Sequence, residues 1–261
     1  MTAADLVPSR GALAVWRRHV LVWRQLFWPS MASNVFEPLL FLFAFGFGLG
    51  AIVGELGEVP YLVFIVPGVM AYTAMFSASF ESTISAYARF QMQRTWDAQL
   101  ATPLSLTDVL AGELLWATSK AMIASSCVLV VGWLWGGIPS PGGALLGLGV
   151  LALAAFCFGA VGICATAFAR NWDFYNYFFT FWVTPMFIFS GVFFEVERFP
   201  DPVQALAWVL PMTHAVAVLR PLTLGLGLEL LPAVGHLAYL VVMAGVAFAA
   251  ARWRAGQRMF D

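Results

Sequence analysis

ARFQMQRTWDAQLATPLSLTD, residues 88–108, separates two long apolar runs with a short cationic, amphipathic insert in which Arg89 and Arg94 lie among aromatic and polar residues. The linker on the other side of the preceding run holds Glu55 and Glu58 and no Arg or Lys. The chain has 261 residues, 61% of them hydrophobic and 10% charged, the composition of a polytopic membrane protein. A helix-forming aromatic segment in a short loop of such a chain points to something that docks there. Residues 88–108 therefore read as a contact surface for a cytoplasmic partner.

Run length sets the fold class. A bilayer core about 30 Å thick takes about 20 apolar residues per helix, and six runs qualify: 34–53, 61–83, 109–135, 143–168, 174–194 and 233–252. They are continuous and do not alternate with a period of two, which favours helices over barrel strands. The expectation is an all-α polytopic membrane protein of six transmembrane helices forming one domain over 1–261. Ten arginines (Arg10, Arg17, Arg18, Arg24, Arg89, Arg94, Arg170, Arg252, Arg254 and Arg258) fall on one side of this arrangement, and Arg198 and Arg220 on the other. Lys120 lies within the third run. That bias places both termini in the cytoplasm. No cleaved signal peptide is expected at the start. Cys127, Cys157 and Cys164 all fall inside runs, with no CxxC pair, and read as small apolar core residues.

Between Gly11 and Phe27, the residues Leu13, Trp16, Val20, Trp23 and Phe27 follow spacings of three and four, with Arg17, Arg18 and Arg24 on the other face. Trp beside Arg on such a stripe predicts an interfacial helix over 10–28. Gly46, Gly50 and Gly54 recur every four residues in the first run, a close-packing signal chiefly within the chain. Glu37, just before Pro38, is placed near the cytoplasmic mouth as a brace for the helix start. Ser105 with Asp108 makes a variant capping box for the third run. Glu113 and Lys120, seven residues apart, share a helix face and seek polar partners in the bundle. Pro185 breaks the aromatic fifth run. Residues 195–232 are too polar for one span and too apolar for an ordinary loop, so 203–210 and 213–219 predict short helices of an outer re-entrant hairpin.

Missing chemistry narrows the function. There is no G-x-x-x-x-G-K-[ST], HExxH or GxSxG, and Lys120 is the single lysine, so the chain is no P-loop ATPase and no catalytic residue is assigned. His19, His214 and His236 lie far apart in sequence on different elements. Each reads as structural, and no metal site is expected. Mid-span ionisable residues are few, which leaves a passive channel, a membrane scaffold, or a transporter driven by another chain. Two aromatic faces stand out: Tyr72, Phe76 and Phe80 with Thr73 beside them in the second run, and Phe174, Phe178, Phe181 and Trp182, with Phe189 further along, in the fifth.

The order of elements looks like the permease of a type-2 ABC exporter. The local strings VWRRHVLVWRQ (15–25), FGFGLGAIVG (45–54), SFESTISAYARFQMQRTWDAQLATPLSLTDVLAGELLWATSKA (79–121), TPMFIFSGVFF (184–194) and LPMTHAVAVLRPL (210–222) resemble the nodulation protein J branch most closely. The resemblance spans nearly the whole chain, and QRTWDAQLATPLSLTD is its most specific part. It implies export of a lipid-linked or amphiphilic saccharide across a bacterial inner membrane. Two permeases would assemble with two copies of a separate ATPase subunit, which would bind ATP and Mg; this chain would hold no cofactor and no nucleic acid. Residues 89–103 would be the coupling helix between spans two and three. There Arg89, Arg94, Thr95, Trp96, Asp97 and Leu100 would meet the ATPase, with Trp96 as an apolar anchor. Spans two and five would border the pathway, so the two aromatic faces would hold the substrate. Export of a drug-like amphiphile or polymer precursor, and a channel or scaffold that needs no nucleotide, stay open beside this reading.

Overall fold

The protein is described by a computed structural model covering residues 8–56 and 59–260; Glu58 lies outside the described residues. Ten helices follow in order. Helix α1 is Gly11–Gln25, and α2, Phe27–Val53, contains a π-helical turn at Ala44–Leu49. A two-stranded antiparallel ribbon, Glu55–Leu56 with Val59–Pro60, leads into α3, Tyr61–Met92. Helix α4 is the short Thr95–Leu100, α5 is Leu106–Leu134 and α6 is Pro141–Phe168. Helix α7 runs through three contiguous segments, Asp173–Phe178, Phe179–Val183 and Thr184–Phe189, of six, five and six residues. Helices α8, Asp201–Val209, and α9, Pro211–Leu224, meet at a 90° bend, and α10 is Leu230–Phe260.

Helices α2, α3, α5, α6 and α10 are long and apolar enough to cross a membrane, and the bent α8–α9 pair is a sixth candidate of different shape. The expected fifth span departs from the six-run count. Helix α7 amounts to about 25 Å of helix, short of the roughly 30 Å core, because it ends at Ser190 and gives way to bends and a 3-10 turn at Val196–Arg198. The first span also begins earlier than expected. Only Leu26 separates α1 from α2, so Glu37 sits mid-helix rather than at a helix start.

Helix α3 is the axis of the bundle: 89% of its most apolar stretch is buried, against 17% in α2 and 22% in α10. It packs on α2, α5, α6 and α9, while α10 packs chiefly on α6 and α1 on α5. With no hydrophobic force between helices in lipid, close backbone approach supplies the dispersion contacts. Gly162 of α6 and Gly112 of α5 allow this. A Cβ at Gly162 would run into Ser82 of α3, and one at Gly112 into Val15 of α1. Gly46 faces Leu62 of α3 and Gly50 faces Tyr61, in keeping with packing inside the chain. The face that α1 buries is Ala12, Val15 and His19, whereas Leu13 is exposed. The stripe is rotated from the expected one because the small residues, not the largest apolar ones, let α1 approach Gly112.

Ser105 caps α5 as expected: its hydroxyl accepts from the Asp108 amide at 3.1 Å, and Asp108 accepts from the Ser105 amide at 3.1 Å. Asp108 also receives the Ser9 amide at 2.6 Å, and Arg258 donates to the Ala169 carbonyl at 2.6 Å. The start of α1, the ends of α3, α6 and α10 and the start of α5 thus gather at one end of the bundle. Replacing Gly162 with Leu should lower stability in detergent by about 1–3 kcal/mol, the usual cost of overpacking, read from an SDS unfolding titration. An unchanged midpoint would show that α3 and α6 do not approach this closely.

Candidate functional site

At that same end, four elements converge on one carboxylate. Glu113 of α5 accepts from Arg89 Nη2 at 2.6 Å and from Arg89 Nε at 3.1 Å, and from Trp96 Nε1 at 2.9 Å. His19 Nε2 of α1 lies 3.3 Å from its Oε1, outside hydrogen-bonding angles. Arg89 reaches on to Glu81 through Nη1 at 2.8 Å, and the other oxygen of Glu81 takes Lys120 Nζ at 2.8 Å. The Glu113 side chain is wholly buried, and those of Glu81, Arg89 and Lys120 nearly so. Two carboxylates stand against a guanidinium and an ammonium, so their charges balance. That balance is a condition of burial, since each unpaired ion would cost several kcal/mol.

Local backbone chemistry builds this junction. Helix α3 ends in two π-helical stretches, Glu81–Ser85 and Ala88–Met92. Each widens the turn, which is how Glu81 and Arg89 come to flank Glu113. Ser82 and Thr83 return their hydroxyls to carbonyls one turn back, at 2.6 and 2.5 Å, and so occupy acceptors that the wide turns release. Arg94 then adopts the left-handed conformation, φ 51°, reversing the chain into α4.

The expected coupling helix over 89–103 is therefore two things. Residues 88–92 belong to α3, and the separate helix is Thr95–Leu100. Its inward face carries Thr95, Trp96 and Gln99, all buried; Trp96 is 0% exposed and stacks on Phe90 at 4.6 Å. Trp96 is thus not an exposed anchor, and Arg89 not a surface contact: the 3.6-residue period of α4 turns the indole toward Glu113. Leu100 is half-buried against the same cluster. Arg94 and Asp97 remain outward, paired at 3.3 Å with side chains 75% and 46% exposed. Glu113 and Lys120 do share a face of α5, but the pairing runs through Arg89 and Glu81 rather than between them.

A cavity of about 700 Å³ opens beside the junction, with His19, Trp23, Phe76, Phe80, Trp116 and Lys120 among its lining. Phe76 and Phe80 thus reach open space. Their ring partner from α7 is Phe179, at 5.8 and 6.4 Å, and Tyr72 meets Phe187 with tilted rings at 4.1 Å. The other aromatic residues of α7 have different neighbours within the chain. Phe174 packs against Tyr175 at 5.9 Å, Phe178 abuts Phe179, Phe181 points outward 73% exposed and Phe189 meets Phe199. Trp182 is partly buried, its indole N–H unpartnered. The π turn at Phe179–Val183 inserts an extra residue in that turn, so the face expected from regular α-helical spacing does not line up. Thr73 is buried with its hydroxyl on the Val69 carbonyl at 2.8 Å.

What the sequence reading missed is a pairing of histidines. His214 and His236 meet at 2.8 Å between Nδ1 atoms, although 22 residues and one chain reversal separate them. The described residues hold no group of three or more His, Cys, Asp or Glu fit for a metal.

Comparison with known proteins follows this geometry. The ABC-2 type transporter family matches residues 12–224. Nodulation protein J of Sinorhizobium fredii is 39% identical over 209 residues, 80% of this chain and 79% of that one. Nodulation protein J of Rhizobium leguminosarum bv. viciae is 37% identical over 228 residues, covering 84% and 85% of the two chains. The inner membrane transport permease YadH of Escherichia coli is 23% identical over 207 residues, 79% and 80%.

Removing one member of the buried network should cost far more than removing an exposed ion pair. Glu113→Ala should destabilise the detergent-solubilised chain by about 3–5 kcal/mol, since it leaves Arg89 and Lys120 to share the one carboxylate of Glu81. Arg94→Ala should cost at most about 1 kcal/mol. Unfolding titrations of the two variants decide; equal losses would mean that Glu113 is hydrated rather than buried.

Proposed function

Since the chain belongs to the ABC-2 type transporter family, and is on that ground a transmembrane permease, we propose that it drives export by coupling to a separate ATPase subunit through α4. The observation that carries this reading is the Trp96–Glu113 hydrogen bond. It ties a short helix, whose outer face is polar and exposed, to α5 and, through the Arg89 that shares Glu113, to α3. A push on Arg94 and Asp97 would be passed through the indole to Glu113 on α5, through Arg89 and Glu81 to α3, and through the packing of α1 on α5 to α1. Buried, hydrogen-bonded ion pairs suit this task because their geometry is fixed and bidentate. The partner would bind ATP and Mg. Its likeness to permeases of this family supports two copies of this chain with two ATPase subunits, in a bacterial inner membrane, with the α4 end and both termini cytoplasmic. Helix α1 would lie in the interface on that side, and the bent α8–α9 pair would form the outer hairpin. Exposed aromatic residues of α2 and α7, such as Phe43 and Phe181, are the surfaces on which a second copy or lipid would sit.

The substrate proposed is an amphiphile, most specifically a lipid-linked saccharide. The relatives named nodulation protein J favour this class, and the cavity beside the junction suits it: cationic and carboxylate groups at one end, indole and phenyl faces on its walls. Aromatic faces pack against acyl chains and sugar rings alike. Drug-like amphiphiles or polymer precursors would use the same features.

Two expectations test these roles separately. Trp96→Phe keeps the stack on Phe90 and deletes the N–H to Glu113. It should leave assembly with the ATPase intact while transport per ATP hydrolysed falls about tenfold, the effect of roughly 1.4 kcal/mol, within the usual cost of leaving a buried acceptor short of a donor. Normal coupling ratios in reconstituted vesicles would reject the strut. Phe76→Ala should reduce substrate-stimulated ATPase activity and export and spare basal hydrolysis; loss of basal hydrolysis as well would make Phe76 a packing residue.

A further inference from the structure

Toward the opposite end of the bundle from α4, where the first turn of α9 lies against α10, two imidazoles face each other. His214 Nε2 lies 2.9 Å from the Trp208 carbonyl oxygen, which can only accept, so the proton sits on Nε2 and donates. In neutral His214 the Nδ1 is then a bare lone pair, and His236 must supply the N–H across the 2.8 Å gap. The rings are held from both sides: His214 stacks on Tyr239 at 4.1 Å, and His236 on Trp208 at 5.6 Å. The Tyr239 hydroxyl donates to the Val209 carbonyl at 2.6 Å. Contacts to Trp208 and Val209 converge on the last turn of α8, next to the 90° bend.

We propose that His214 and His236 form a proton-counted latch that fastens the bent α8–α9 pair to α10 and releases it on acidification. The pair tolerates no added proton or one. With one, whichever ring is doubly protonated still offers a single N–H to the bare Nδ1 of the other. A second proton puts N–H groups on both facing nitrogens and two positive charges a hydrogen-bond length apart, so the bond is lost and repulsion replaces it. The latch is therefore closed at high pH and opens as pH falls. Its opening belongs to the second protonation of a coupled pair.

No other group blurs the count. Helix α8 contributes the uncharged Trp208. From α10 comes the Tyr239 phenol, beside which α6 places the Cys157 thiol; both are neutral at these pH values. On α9 itself, Arg220 turns away, to the Gly191 carbonyl and the Phe64 ring. Among the described residues the ion pairs include neither imidazole. This inference does not rest on the ATPase or substrate reading, because it concerns the permease alone.

The test is a spin-label distance between Leu206→Cys on α8 and Leu231→Cys on α10, both exposed, with Cys127, Cys157 and Cys164 replaced by Ala. The full chain is held in lipid nanodiscs and titrated between about pH 8 and about pH 4.5. A single narrow distribution at the alkaline end should give way to a second, longer or broader one as the pH falls. His214→Gln/His236→Gln, which can hydrogen-bond but not titrate, should abolish the transition. A distribution unchanged across the range, or a transition that persists in the double Gln variant, would overturn the latch. So would a shift produced at about pH 8 by zinc alone and reversed by chelation, which would make the pair a metal site instead. Because the pH titration uses the native histidines, the proposal is tested even if the double variant fails to fold.

Discussion

The Glu113 carboxylate is the constraint around which this end of the molecule is arranged. A carboxylate with no exposed surface must have its lone pairs answered, and here the answers come from α3, through Arg89, and from α4, through Trp96. Satisfying it fixes the roll of α3 about its axis, the direction in which the chain leaves that helix, and the face α4 turns inward. The π turns of α3 and the left-handed Arg94 are local departures from regular geometry that this carboxylate makes worthwhile, since an unpaired Arg89 or Glu113 would cost more than an irregular turn.

Helix packing alone would not have required such a junction. Elsewhere the bundle is joined by small residues and dispersion contacts, as where Gly112 admits Val15 and Gly162 admits Ser82. Those contacts are non-directional and let helices slide. Ion pairs and an indole hydrogen bond are directional, so at the α4 end they fix how α3, α4 and α5 sit on one another. At the far end an imidazole pair and a phenol on a carbonyl fasten α10 to the α8–α9 bend, one of these contacts being titratable, while Arg220 ties α9 to the Gly191 carbonyl and the Phe64 ring.

The cavity beside the junction joins the two themes of the sequence, charge and aromatic surface, in one place. Phe76 and Phe80 project into it from α3, one turn and two turns beyond Tyr72, as their spacing requires. The α7 aromatic residues do not follow suit, because the π turn at Phe179–Val183 shifts their register and makes Phe179 and Phe187 the partners.

Composition and run length by themselves determined that this is a helical membrane protein with long apolar helices, because spanning a bilayer demands about 20 apolar residues in sequence and nothing from the rest of the chain. The Ser105–Asp108 cap was equally legible, being an interaction of residues three positions apart. Gly46 and Gly50 of the expected glycine stripe do face α3, whereas Gly54 ends its helix at φ 70° and the close approaches at Gly112 and Gly162 lie outside that stripe. The tertiary structure alone decided that Trp96 and Arg89 face inward, that Glu113 binds Arg89 rather than Lys120, that α7 is short, and that His214 finds His236. The reason is one of range: each depends on residues 17 to 24 positions apart meeting across a turn, or on where a helix gives up a regular turn to satisfy a buried charge. No periodicity within a single run encodes either.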